Sequence, residues 1–170
     1  MVRADGDNMG SFVELLYSQK EGSILLDKFS SKLNEYSYRA IQLVKSFGGV
    51  PVYAGGDDLL YFMPVSSRAG DNPFSGNTFT LIDELDLLFK KVVLTETSIN
   101  NVIESNFNDA NFRKPSISYG VSISYYKFPL NQALAEGNDL LFSEAKSGEK
   151  DVVAFSVLKA QRETIWYGLQ

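Results

Sequence analysis

The chain has no histidine and no cysteine. Without cysteine there is no disulfide framework and no thiolate zinc site. Without histidine, Ser-His-Asp and Cys-His catalysis, histidine-ligated nuclease centres and HExxH chemistry are excluded within these residues. Any acid, base or metal ligand must be Asp, Glu, Lys, Tyr, a hydroxyl or backbone. No apolar run approaches the ~20 residues that a membrane span needs. Residues 1–7 hold no apolar signal core, so the cytoplasm is the default compartment. Positive charge is scarce as well. The 16 Lys and Arg face 21 Asp and Glu, a net charge of −5. A stand-alone binder of nucleic-acid backbone needs a basic surface. A nucleotide site does not, because divalent metal can supply the positive charge.

What is present is enough for one domain with a real core: 170 residues, 44% hydrophobic and 13% aromatic. Residues 1–4 read as the end of a first strand that looks short, and 5–10 (DGDNMG) as a turn. A short helix is expected over 11–19, with Phe12, Leu15 and Leu16 on one face. After Gly22 a long helix is expected over 23–47, where Leu26, Phe29, Leu33, Tyr36, Ala40, Leu43 and Phe47 recur at steps of three and four. Gly48-Gly49 closes it. Apolar runs at 50–54 and 59–65 flank Gly55-Gly56-Asp57-Asp58, the pattern of a β-hairpin. Residues 66–77 read as loop, 78–104 as one helix, and 105–115 as loop. Residues 116–127 alternate, with Ile117, Tyr119, Val121, Ile123 and Tyr125 facing one side and serines and Gly120 the other. A helix over 129–146, a strand over 152–158 and a further strand at 164–167 complete the chain.

The order β-α-β-β-α-β, followed by α-β, predicts an α+β fold: a ferredoxin-like split βαβ sheet with a C-terminal extension. In such a sheet the end of strand 1 and the strand 2–3 turn lie at the same edge. DGDNMG and GGDD should therefore meet. Asp5, Asp7, Asp57 and Asp58 would repel one another and raise each other's pKa unless cations sit among them. Hard oxygen ligands suit Mg²⁺ or Mn²⁺. Two such ions, about 3.5–4 Å apart, would activate a hydroxyl and stabilise a leaving oxygen in phosphoryl transfer. Gly55 and Gly56 leave room for close approach, and the amides at the start of the first helix could cradle a triphosphate. The plainer reading of GGDD alone is an ordinary hairpin turn. It is the convergence of two such turns that favours a metal site. DGDN opens like a calcium loop, but the downstream Gly-x5-Glu spacing is missing, which excludes an EF-hand.

With both motifs on this frame, the chain resembles the palm domains of nucleotide polymerases and cyclases. It is most similar to the GGDD palm of the large subunit of type III CRISPR effector complexes, the Cmr type in particular. The residues that carry this are Asp5–Gly10, Val52–Tyr61, Ser116–Val121, Ser143–Lys150, and more weakly Phe155–Lys159 and Glu163–Trp166. Diguanylate cyclases share the frame, but they place Glu-Phe where this chain has Asp58-Leu59, and their Phe-Lys after the first Asp pair is absent. The resemblance implies joining of ATP into cyclic oligoadenylate with release of pyrophosphate. It implies Mg or Mn held by Asp5, the Gly6 carbonyl, Asp57 and Asp58. Asp58 would be a second ligand or would activate the attacking hydroxyl. Asp7, Asn8, Met9, Gly10, Gly55, Gly56 and Lys146 would line the nucleotide.

Plainer readings stand beside these. Lys146 also fits a solvated lysine in a helix's last turn. Lys150 carries less weight, and Asp7 also fits a residue that only shapes its turn. Core packing competes with base stacking for Tyr119 and Tyr125; Tyr126 and Phe128 also offer rings for stacking. Glu144 and Glu149 fit a solvated face.

The family's other parts, a facing palm, a small helical domain and often an HD nuclease, are not in this sequence. The expectation is one palm domain, residues 1–170, from a larger subunit, weakly active or inactive alone. Its partners would be ATP, the facing palm, other subunits of a type III ribonucleoprotein, and guide and target RNA through that complex, with no membrane. A GTP-using diguanylate cyclase and a non-catalytic scaffold palm remain the alternatives.

Overall fold

The computed structural model describes residues 1–66, 76–148 and 150–158, together with the backbone of 166–169. The strands are β1 (Val2–Asp7), β2 (Val50–Gly55), β3 (Asp58–Phe62), β4 (Ser116–Ser124), β5 (Val153–Leu158) and β6 (Trp166–Leu169). The helices are α1 (Met9–Ser18), α2 (Gly22–Ser46), α3 (Thr78–Phe89), α4 (Thr97–Asn106) and α5 (Leu130–Asp139). Wider π-type turns, Lys90–Leu94 and Leu140–Ala145, continue α3 and α5. The six strands form one sheet in the order β2-β3-β1-β4-β5-β6. β1 lies antiparallel between β3 and β4, and β4 and β5 are parallel. This is the expected split βαβ frame with one further parallel unit.

One face of the sheet carries the main core. Val2, Ala4, Leu59, Tyr61, Ile117, Tyr119 and Val121 pack against Phe29, Tyr36, Ala40 and Val44 of α2 and Leu81, Leu85 and Phe89 of α3. Phe12 of α1 meets Phe29 edge-on at 5.3 Å, and Tyr36 meets Phe89 at 5.4 Å. The opposite face carries a smaller core, in which Leu140, Leu141, Ala145 and Ala154 are buried together. The serine side of β4 is therefore not solvated: Ser118 and Ser122 are fully buried. Small residues let the helix lie close. A Cβ on Gly120 would meet the Gly137 carbonyl and stand 2.8 Å from the Leu141 nitrogen.

Several sequence expectations need correction. β1 is not short, and it does not stop at Ala4. Its ladder with β4 runs on through Asp5↔Ser118, Gly6↔Ile117 and Asp7↔Ser116, so strand pairing overrides the turn-like composition. The expected single helix over 78–104 is broken after the π turn. Glu96 caps a new helix there, its Oε2 accepting from the Ile99 N–H at 2.9 Å. On α2, Leu25 and Val44 are buried, whereas Leu26 and Leu43 are only half-buried. Tyr125 is not a core residue. β4 ends at Ser124, and Tyr125 is 58% exposed, its ring packed against Tyr126 at 4.4 Å. Residues 67–75, Glu149, Lys159 and 163–165 fall outside the described residues, and with them most of the expected loop and part of the last expected strand.

Candidate active site

The register of β1 against β3 brings the two acidic motifs together. Ala4 stands opposite Leu59 in the last pair of this ladder, and Asp5 and Asp58 are the residues that flank that pair. The β2–β3 connection is a two-residue turn, Gly56-Asp57, closed by the Gly55–Asp58 pair. Gly56 has φ +66°, the sign needed at the first central position of a II′ turn and one that an L side chain resists. Ser37 of α2 pins this turn from below, its Oγ donating to the Gly56 carbonyl at 2.8 Å with the Leu33 carbonyl at 3.0 Å. Gly6 is the point of closest approach. A Cβ there would run into Asp57 Oδ2 and come within 2.7 Å of Met9 Cγ.

Two cations stand among the carboxylates. Lys146, at the end of the π turn after α5, donates to Asp5 Oδ2 and to the Gly6 carbonyl, the latter at 2.7 Å, and lies 3.7 Å from Asp7 Oδ1. Arg3 Nη2 is 3.6 Å from Asp58 Oδ2. The ring of Phe142 sits 5.9 Å from both the Lys146 ammonium and the Arg3 guanidinium. Desolvation raises the pKa of Asp57, reinforced by the charge of Asp5 and opposed by a backbone hydrogen bond and Lys146. Asp58 is also raised by desolvation, against the pull of Arg3. Its Oδ1 is buried without a hydrogen-bond partner.

Asp7 behaves differently. It is 1% exposed. Its Oδ2 accepts from Ser116 Oγ at 3.1 Å, Ser118 Oγ at 2.6 Å and the Asp151 N–H at 3.1 Å. It thus ties β1 to β4 and to the loop before β5. Asn8 follows in a left-handed conformation, φ 58°, and Asp151 shares that rare geometry at φ 69°. The first-turn amides of α1, at Met9, Gly10 and Ser11, have no intrahelical carbonyl to bond. Lys150 donates to Asn8 Oδ1 at 3.0 Å. Glu144 is exposed. Tyr119 is buried beneath the site beside Tyr36 and Tyr61, and burial pushes all three phenols up.

Asp5, Gly6, Asp57, Asp58 and Lys146 are thus gathered at one edge, with Asn8–Gly10 and Gly55–Gly56 around them. Among the described residues, no three acidic side chains already stand as a metal cage. The donors still fit a hard divalent ion in kind: carboxylates and a carbonyl, with a cation already spanning Asp5 and the Gly6 oxygen and an unpartnered oxygen on Asp58. Sequence reasoning missed Arg3, Ser37, Ser116, Ser118 and Asp151. The serines on one side of β4 were the visible signal; nothing local marked Ser37.

A split βαβ sheet that sets an acidic strand end beside an acidic hairpin turn at its edge defines a palm domain. The chain belongs to the Cas10/Cmr2 family, and within it to the second palm domain, whose sequence profile matches residues 1–154. It is 29% identical over 132 residues to the CRISPR system Cmr subunit Cmr2 of Pyrococcus furiosus. That match covers 76% of this chain and 12% of the length of the relative. The resemblance to a type III CRISPR large subunit therefore holds. No helix among the described residues is long and apolar enough to cross a membrane.

Proposed function

We propose that this palm performs metal-dependent nucleotidyl transfer, converting ATP to cyclic oligoadenylate and pyrophosphate as part of an RNA-guided CRISPR complex. The observation that carries the reading is the meeting of Asp5 and the Gly6 carbonyl with Asp57 and Asp58 from a distant part of the chain. These four would hold Mg²⁺ or Mn²⁺, which would supply charge stabilisation at the reacting phosphate and lower the pKa of the attacking hydroxyl. The chain's own residues do the rest. Asp58 serves as a second ligand or accepts the 3′-hydroxyl proton. The amides of Asn8, Met9 and Gly10 hold phosphate oxygens. Lys146 leaves Asp5 and moves to the triphosphate. Gly55 and Gly56 keep the turn low enough for the nucleotide to approach. A facing palm would complete the site, so the isolated chain turns over slowly or not at all.

One observation favours the scaffold reading instead: Asp5 and Asp58 are already paired with Lys146 and Arg3, so the cluster can persist without metal. Thermal unfolding separates the two. A ligand at a hundredfold its Kd stabilises by about 2.7 kcal/mol. With Mn²⁺ and ATP the expected outcome is a rise in Tm that vanishes in Asp57→Ala/Asp58→Ala. A larger rise with GTP would favour diguanylate chemistry. No rise with either nucleotide, even with the facing palm added, would leave the scaffold.

A further inference from the structure

A second charged feature adjoins the carboxylates. A cleft of about 960 Å³ opens beside Asn8, and Lys90, Arg113, Lys114 and Lys150 line it. In a chain of net charge −5, this gathers four of 16 cationic side chains at one opening. They come from three separated stretches: the π turn after α3, the loop before β4 and the loop before β5. Asp151 is the one acidic side chain among the described lining residues, and it lies 3.7 Å from Lys90, which also pairs with Asp86 at 2.7 Å. Arg113, Lys114 and Lys150 have no described carboxylate within ion-pair distance. Arg113 Nη1 is instead anchored on the carbonyls of Ala110 and Phe112, at 2.8 and 2.9 Å, which fixes its guanidinium in place.

The cleft is cross-braced. Asn8 donates through Nδ2 to the Lys114 carbonyl at 3.2 Å and accepts from Lys150 Nζ at 3.0 Å. Its own backbone is left-handed and starts α1, whose unpaired amides carry the positive end of the helix dipole. Like charges gathered by separate loops repel unless an anion joins them. The volume lies in the range of small-molecule sites. Asn8 lines the cleft and directly follows the acidic end of β1, so a ligand passing Asn8 would meet carboxylates at one end and cations at the other. That polarity matches a nucleotide whose reacting phosphate sits at the carboxylates and whose polyphosphate tail extends away.

We propose that Arg113 and Lys114, with Lys150 and Lys90, bind the terminal phosphates of the nucleoside triphosphate and then the pyrophosphate product. In that step the α-phosphorus gains a bond to the attacking 3′-oxygen and loses its bond to the α,β-bridging oxygen. The bridging oxygen departs with the electron pair as part of pyrophosphate, into the cationic cleft. The proposal rests on the nucleotidyl-transfer reading above, and the test keeps the two apart.

Inorganic tripolyphosphate is titrated into the full chain by calorimetry, with chelator present and no divalent ion; AMP is titrated separately, and ATP with Mn²⁺. Wild type should bind tripolyphosphate. Arg113→Ala/Lys114→Ala should weaken that at least tenfold and leave AMP unchanged. Two controls frame the result. Lys20→Ala/Lys45→Ala removes the same charge elsewhere and should change tripolyphosphate affinity less than twofold. Asp57→Asn should leave tripolyphosphate affinity intact but weaken ATP with Mn²⁺. Tripolyphosphate binding that is absent in wild type, equal in Arg113→Ala/Lys114→Ala, or equally weakened by the distant pair would overturn the proposal. If in that case ATP with Mn²⁺ still depended on Asp57, the nucleotidyl-transfer reading would survive. Cleft-dependent tripolyphosphate binding without any effect of Asp57 on ATP would support the anion cleft and sink that reading.

Discussion

Gly6 is where the two acidic motifs touch, and it accepts no side chain. Asp57 Oδ2 and the Met9 side chain occupy the place of its Cβ. Met9 can swing aside, but Asp57 cannot move without leaving the cluster. Gly6→Ala should therefore keep the fold, cost about 1–3 kcal/mol from overpacking, and abolish the metal-dependent nucleotide shift in Tm. A fully retained shift would show that the place of Asp57 is not fixed by Gly6. Ser37 is the second such residue. Ser37→Ala removes the bond to the Gly56 carbonyl and should cost about 1 kcal/mol in urea unfolding. At this scale the sequence was readable in part. Asp5, Asp57 and Asp58 stood out by residue type and company. Asp7 stood apart from Asp5 only as a residue that could shape its turn; nothing local records that Ser116, Ser118 and Asp151 will surround it. Ser37 was invisible for the same reason: its partner is a carbonyl brought to it by the fold.

The convergence of β1 with the β2–β3 turn follows from strand order alone, so the sequence pattern suffices to read it. The docking of α5 could not. Alternating serine and apolar residues on β4 describe equally well a strand with one wet face and a strand whose second face is covered by a closely packed helix. Gly120 and Gly137 decide it, since only small residues let the backbones of β4 and α5 approach. That approach also positions Lys146, which ends the π turn continuing α5. Gly120→Ala places a methyl against the Gly137 carbonyl and the Leu141 nitrogen. These are backbone atoms that cannot rotate away. A loss of about 1–3 kcal/mol is expected, together with a weakened nucleotide response as Lys146 shifts. Equal stability in urea unfolding would mean that α5 can slide along the sheet at little cost.

For the molecule as a whole, the acidic edge ties stability to pH in an unusual direction. Carboxylates paired in a native state normally make a protein less stable in acid. Asp57 is the reverse case: desolvation and the neighbouring Asp5 raise its pKa in the folded chain. Its contribution is fully present below the unfolded value, near pH 4, and is lost as pH rises through the raised folded value. Asp58 and Asp151 are raised as well, chiefly by desolvation, and act in the same direction. The Met1 ammonium, lowered by burial, pulls the other way near neutrality, so the clean quantity is a difference between two proteins that share it. Asp57→Asn removes the charge without changing the shape of the turn. Without divalent cations, its Tm should exceed that of the wild type at pH 7, and the gap should close towards pH 4. A gap that is constant from pH 4 to 7 would mean that Asp57 carries no conditional charge penalty. Mn²⁺ should reverse the order at pH 7 by stabilising only the wild type. On that outcome the carboxylate is a liability to the metal-free fold that a bound cation would remove.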